Sequence, residues 1–218
     1  MKISEALTKA VNELGVSEYP ADTNNVKYNT WYYGRMVEGR EYPWCAVFIS
    51  FLFKDNQHLV KRTNSCQQML EWFEGRNRIV TDPQPGDIVF FKFKTNGRRT
   101  NHVGIVVSVQ GKNNLTTIEG NTSMTSNDNG GRVMERRRTM KNIVAFARPE
   151  YEDASNYHPT LKKGSKGNSV AVLQTILEID VDGDFGPKTK EAVIQFQKAH
   201  NLKPDGIVGP KTWEELLK

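Results

Sequence analysis

One eight-residue pattern occurs twice near the end of this chain, and it restricts the fold more than any other feature. Asp182-Gly183-Asp184-Phe185-Gly186-Pro187-Lys188-Thr189 returns as Asp205-Gly206-Ile207-Val208-Gly209-Pro210-Lys211-Thr212. Each copy reads as a turn that needs glycine's conformational freedom, then a proline suited to a helix start, then a helix-forming run. Apolar residues at helical spacing mark three helices. Val170, Leu173, Ile176 and Leu177 lie on the first, Ala192, Val193, Phe196 and Ala199 on the second, and Trp213, Leu216 and Leu217 on the third. A module of about sixty residues is near the small end of what folds alone. Upstream, Tyr151 to Ser169 is polar, with Pro159, Gly164 and Gly167, and reads as a linker running into that module. The chain is therefore expected to comprise a domain over 1–150, a linker over 151–160 and a small all-α domain over 161–218.

With VLQ before the first copy and FQ between the two, the pattern closely resembles the three-helix peptidoglycan-binding module of many bacterial and phage wall-lytic enzymes. The resemblance covers nearly all of Leu161 to Leu217, with a shortened stretch at Glu178 to Val181 on one edge of the groove. It implies binding to bacterial peptidoglycan and assigns no individual contact residue.

Hydrophobic residues make up 37% and charged residues 25%, which excludes a long disordered tail, a collagen-like repeat and a polytopic membrane protein. The longest apolar run, Ala46 to Phe53, is too short to span a bilayer and is broken by Ser50, so no membrane insertion is expected. The opening MKISEALTKAVNEL has helical spacing and no continuous apolar stretch of the Sec type. The net charge is +5 and is uneven: all twelve arginines precede residue 150, whereas 160–218 holds nine lysines against eight acids. Such a balance suits nucleic acid, an anionic membrane or an anionic wall polymer. The densest basic run, Arg136-Arg137-Arg138 with Arg132 nearby, has no interleaved aromatics and reads as a solvated hairpin face. No nucleic-acid partner is expected.

The chemistry is expected around Tyr42-Pro43-Trp44-Cys45 and the apolar run that follows. Pro43 disfavours helix before it and suits the first turn of a helix after it, so Cys45 stands at the start of a largely buried helix. Unpaired amides and the helix dipole there favour a thiolate, the nucleophilic form. A cysteine nucleophile needs a base and a group to orient that base. PGDIVFF (85–91), NHVGIVV (101–107) and LTTIEGN (115–121) read as successive strands, with His102 at the start of the second. Glu119 and Asn121 share a face of the third, because side chains alternate, and either could accept from the imidazole and fix its tautomer.

Taken together and in order, Trp44-Cys45, PGDIVFF, NHVGIVV and IEGNT resemble the CHAP family of cysteine, histidine-dependent amidohydrolases/peptidases over about residues 1–150. The resemblance implies an α+β, papain-like fold in which helices pack on an antiparallel sheet. It also implies Cys45 as nucleophile, His102 as general base, Glu119 as orienter and Asn121 as a supporting polar group. Tyr28, Trp31 and Trp44 are candidates to line a substrate groove, although aromatics at such positions serve equally for packing. The two resemblances together point to an endolysin-like peptidoglycan hydrolase of a Gram-positive wall, an N-acetylmuramoyl-L-alanine amidase or a peptide endopeptidase. It would be made in the host cytoplasm and act on the wall after release. Two other readings are a wall-binding protein without activity and a cysteine peptidase acting on protein.

Cys66, in TNSCQQMLEWF, is expected to be a structural thiol near the start of a helix capped at Thr63 or Asn64. His58, His158 and His200 form no ligand spacing with a second His or Cys, so zinc is not expected. Some CHAP domains hold calcium through a D-x-D loop before the cysteine. Here Gly34 to Glu41 lacks that pattern, and Asp22-Thr23-Asn24-Asn25 supplies only one carboxylate, so no metal or other cofactor is expected.

Overall fold

The apolar run after Cys45 folds as a helix, and the sheet that carries the candidate site is built against it. In a computed structural model that describes every residue except 95, 96, 112, 128, 154–157, 159 and 218, the chain separates into two units. One consists of Met1–Val109 and Leu115–Ser155, and the other takes in Asn156–Lys218. Residues 154–157 and 159 of the expected linker lie outside the described residues.

The larger unit is α+β. Its helices are α1 (Ile3–Asn12), α2 (Lys27–Tyr33), α3 (Cys45–Leu52) and α4 (Cys66–Glu74). Ile3, Ala6 and Ala10 form the buried stripe of α1. Every residue of α3 except Phe51 is buried. Val47, Phe48, Ile49 and Leu52 are essentially without solvent contact, and such burial contributes about 1.5–3 kcal/mol for each large side chain. Ser65, one residue later than expected, caps α4: its hydroxyl accepts from the Gln68 N–H.

The strands are β1 (Ile79–Val80), β2 (Ile88–Phe91), β3 (His102–Gln110), β4 (Asn114–Thr122), β5 (Arg132–Thr139) and β6 (Ile143–Ala147). They form one sheet in the order β1-β6-β2-β3-β4-β5. The β1–β6, β6–β2 and β2–β3 pairs are antiparallel, and Phe91 stands opposite His102 in the β2–β3 register. Val89, Phe91, Val106, Leu115 and Phe146 pack together as one core of the sheet. Before β2, the turn at Pro85-Gly86-Asp87 is fixed by the buried Asp87 carboxylate, which accepts from the Gln84 N–H and pairs with Arg148 at 2.9 Å.

The smaller unit is all-α: α5 (Asn168–Ile176), α6 (Pro187–Ala199) and α7 (Pro210–Leu216). Pro187 and Pro210 both occupy the first helical turn, where the missing N–H costs nothing. Leu161, Val170, Leu173, Phe185, Val193, Val208 and Trp213 form its core. Phe185 and Val208 occupy the same place in the two copies of the repeat. Ala199, expected on a buried stripe, is exposed because the inward face of α6 is completed by Gln197 instead, and Leu217, also expected on a buried stripe, is exposed just past the last residue of α7.

That glutamine explains the repeat physically. Gln174 Nε2 donates to Asp182 Oδ1, the Asp184 carbonyl and Thr189 Oγ1, and its Oε1 accepts from the Gly183 N–H at 2.8 Å. Gln197 does the same one repeat later, to Asp205 Oδ1, the Ile207 carbonyl and Thr212 Oγ1, accepting from the Gly206 N–H at 2.9 Å. Gly183 and Gly206 both have φ of +68°, the left-handed conformation that the turn requires. Each pattern is thus a turn clasped by a buried amide. Among the described residues, no helix is long and apolar enough to cross a membrane.

Candidate active site

Cys45 is the first residue of α3, and its thiol is buried beside the ring of His102, the first residue of β3. His102 Nε2 is 2.9 Å from Glu119 Oε2 on β4, and both side chains are fully buried. A carboxylate can only accept, so Nε2 carries the proton and the neutral imidazole presents Nδ1 as a lone pair. Nδ1 is buried and has no aligned hydrogen-bond partner among the described residues, although the Cys45 sulfur is close enough to perturb the ring.

Glu119 is held from three sides. Thr117, two residues back on the same face of β4, donates its hydroxyl to Oε1 at 2.6 Å. Arg138 of β5 grips both oxygens, Nε to Oε1 at 2.8 Å and Nη2 to Oε2 at 2.5 Å. The guanidinium also lies over the rings of Phe91 and Phe93, 5.4 and 5.0 Å from their centroids, and His102 packs against the same two rings. Position 104 must be glycine for this to fit, since a Cβ there would stand 2.7 Å from Glu119 Cγ. Gly120 is equally constrained, with a Cβ falling 2.6 Å from Phe48 Cβ, so α3 lies directly on β4 at this point.

The electrostatics favour an ion pair. Burial opposes charge on His102, but Cys45 and Glu119 outweigh it and raise the imidazole to about 9. Burial likewise opposes charge on Glu119, but Arg138 and His102 hold the carboxyl down to about 2. The Cys45 thiol is held well below the usual range, first by a hydrogen bond from Cys66 and then, against burial, by His102 and the Ala46 N–H. The Cys66 thiol is driven the other way by the Cys45 thiolate and by burial.

Comparison with known proteins decides what this arrangement belongs to. Residues 37–121, which contain Cys45, His102, Glu119 and Asn121, match the family model described as "CHAP domain", and residues 166–216 match "Putative peptidoglycan binding domain". The chain carries a CHAP domain and a peptidoglycan-binding domain. It is similar to a "Zinc D-Ala-D-Ala carboxypeptidase" of Streptomyces albus G, 43% identical over 27% of this chain and 26% of that one. It is also similar to a "Probable N-acetylmuramoyl-L-alanine amidase" of Bacillus licheniformis, 34% identical over 35% of this chain and 24% of that one. Among solved structures, a Burkholderia AP3 phage endolysin is 43% identical over 27% of this chain and 24% of that one, with a TM-score of 0.26. The chain thus spans about a quarter of the length of each of these proteins.

Within the CHAP domain, the residues singled out from sequence do not all meet. Cys45, His102 and Glu119 converge. Asn121 is buried on the same strand with φ of +57°, but its side chain is spent elsewhere. Its Nδ2 donates to Asn129 Oδ1 at 3.3 Å and Asn24 Oδ1 at 3.5 Å, and its Oδ1 accepts from the Gly131 N–H. Tyr28 and Trp44 are fully buried packing residues and do not line a groove. The Tyr28 ring meets those of Trp44, Phe48 and Phe51, and its hydroxyl donates to Glu13. The Trp44 indole donates to Glu18 at 2.7 Å. Trp31 is half-buried against Phe51, with the Arg62 guanidinium 4.9 Å over its ring.

Two residues were missed. Arg138 belongs to a run expected to be solvated, yet its side chain is only 10% exposed and reaches Glu119. Strand alternation, which puts Arg136 and Arg138 on one face and Arg137 on the other, was the available signal. Cys66, expected to be structural, places its Sγ 3.5 Å from that of Cys45. In the peptidoglycan-binding domain a polar cleft of about 560 Å³ is lined by Gln174, Glu178, Ile179, Asp180, Asp182, Lys188 and Thr189.

Proposed function

We propose that the chain is a peptidoglycan hydrolase that cleaves an amide bond of the bacterial wall with Cys45 as nucleophile. The observation that carries this reading is the Cys45–His102–Glu119 arrangement at the start of α3, inside a CHAP domain joined to a peptidoglycan-binding domain. His102 holds Cys45 as a thiolate, and the thiolate attacks the amide carbonyl. Backbone N–H groups at the start of α3, including that of Cys45, stabilise the oxyanion, as such donors do in acyl transfer. The imidazolium protonates the departing amine, and water activated by the neutral imidazole hydrolyses the thioester. Glu119 stays ionised throughout, because Arg138 and His102 both stabilise its charge. Asn121 acts at a distance, by tying the end of β4 to the loops at Asn24 and Asn129.

The second domain holds the enzyme on an insoluble polymer and raises its local concentration there, so modest affinity is sufficient. The cleft beside Glu178–Asp180 is its wall-facing surface in this reading. The amidase relative supports hydrolysis of the bond between the sugar and the peptide stem, whereas the same thiol chemistry serves an endopeptidase. Lysis of purified Gram-positive sacculi by the wild type and by Cys45→Ala, with mass analysis of the fragments, tests the proposal. The wild type should release fragments and Cys45→Ala none. Free stems beginning at L-Ala identify an amidase, and new amino termini within the stem or bridge identify an endopeptidase. Equal lysis by the two proteins would remove Cys45 from the mechanism.

A further inference from the structure

Cys45 and Cys66 are both free, each is the first residue of its helix, and their sulfurs are 3.5 Å apart. A disulfide holds its sulfurs at about 2.05 Å, so closure requires an approach of roughly 1.5 Å. We propose that Cys66 is a resolving thiol for Cys45, and that a reversible Cys45–Cys66 disulfide is an oxidised off-state of the site. The loss of activity in this state rests on the reading of Cys45 as nucleophile; formation of the bond does not.

The placement of the two thiols supplies the chemistry. The reactive member is Cys45, kept as thiolate by Cys66, His102 and the Ala46 N–H. Cys66 stays protonated as long as that negative charge is beside it. Cys45 and Cys66 are 4% and 7% exposed, so the smallest oxidants have the readiest access to the sulfurs. The oxidant is therefore a small hydroperoxide. The Cys45 thiolate attacks one oxygen of hydrogen peroxide, the O–O bond breaks, hydroxide leaves and Cys45 becomes a sulfenic acid. The negative charge beside Cys66 is then gone. The Cys66 sulfur attacks the Cys45 sulfur, the S–O bond breaks, and the hydroxyl departs with the Cys66 proton as water. The two sulfurs have lost two electrons and the peroxide has gained two. A dithiol reductant reverses the step by thiol–disulfide exchange. Capture by Cys66 also stops Cys45 from proceeding to the irreversible sulfinic acid.

The test treats the full chain with a small excess of hydrogen peroxide, alkylates the remaining thiols under denaturing conditions and maps the peptides by mass. The expected product is a linked peptide pair carrying Cys45 and Cys66, two hydrogens lighter than the sum of the reduced peptides. Sacculus lysis should be lost with it and restored by dithiothreitol. Cys66→Ser, compared with its own untreated activity, should be inactivated by the same dose without recovery, with Cys45 found as sulfinic acid. Recovery of Cys66 as a free thiol while wild-type Cys45 is oxidised to sulfinic acid would overturn the proposal. A linked pair with undiminished lysis would overturn the off-state and the nucleophile assignment together, an outcome that lysis by untreated Cys45→Ala would show independently.

Discussion

Replacing Arg138 by methionine keeps an unbranched side chain against Phe91 and Phe93 and deletes the guanidinium that grips Glu119. The Glu119 side chain is fully buried and that of Arg138 is 10% exposed, so water offers the orphaned carboxylate little relief. Removing one partner of a buried ion pair costs about 3–5 kcal/mol. His102 and Thr117 remain as partners, which places Arg138→Met near the lower figure, about 3 kcal/mol. At about 2–4 °C for each kcal/mol in a unit of this size, the melting temperature should fall by roughly 6–12 °C. The pH dependence gives a second reading. Glu119 is depressed to about 2 from an ordinary 4.5, so its contribution is present above 4.5 and is lost as pH falls through about 2. Without Arg138, burial is opposed less and the folded-state pKa rises. The contribution shrinks, and acid unfolding sets in at higher pH. Thermal and urea unfolding of the full chain, followed by circular dichroism from neutral pH to about pH 2, measures both effects. A variant within about 0.5 kcal/mol of wild type, with an unmoved acid limb, would refute the buried-pair reasoning.

Three other outcomes follow from the same geometry. Glu119→Gln removes the charge that helps raise His102 to about 9, so the alkaline limb of the lysis profile should move down by roughly one unit or more. The sign is fixed because the imidazolium is needed and is lost as pH rises through its folded pKa, so an unchanged limb would separate His102 from the rate. Gly104→Ala drives a Cβ to 2.7 Å from Glu119 Cγ and should cost about 1–3 kcal/mol. Its lytic rate should fall while sedimentation with sacculi is unchanged, and wild-type values for both rate and stability would show that β3 and β4 have room to spare. Gln197→Ala leaves the buried Gly206 N–H and Thr212 hydroxyl without their clasp and should destabilise the smaller unit by about 1–3 kcal/mol. Sacculus binding on warming measures that loss, and binding as heat-resistant as wild type would relegate the glutamine to an ornament of the turn.

The parts of this protein that are written locally were legible in its sequence. The apolar run behind Cys45, the Pro–helix pairs at Pro187 and Pro210, and the alternation of Thr117 and Glu119 need only neighbours along the chain to declare themselves. The direct partner of His102 could be narrowed to Glu119 or Asn121 by alternation alone, but choosing between them takes the third dimension. There, a left-handed backbone at Asn121 and the loops at Asn24 and Asn129 claim its amide. Burial of Tyr28 and Trp44 was hidden for a related reason: an aromatic ring looks the same in sequence whether sugar or Phe48 covers it. Arg138 and Cys66 were missed because what matters about each is a contact across the fold, with Glu119 on a neighbouring strand and with Cys45 on another helix. A buried carboxylate expected on β4 should nevertheless have prompted a search for a cation on the strand beside it.

The buried groups at the site, Cys45, His102, Glu119 and Arg138, are strung in sequence with alternating sign when ionised. In the proposed reaction their total formal charge is zero at every stage before and after substrate attack. It is zero with thiol and neutral imidazole, with thiolate and imidazolium, and again with thioester and neutral imidazole. The site can therefore pass its working proton between sulfur and nitrogen without ever placing a net charge in the interior, where an uncompensated ion would be very costly. Arg138 makes this possible. Without it the same cycle would run around a permanent excess of one negative charge, held in an interior where an uncompensated ion is costly.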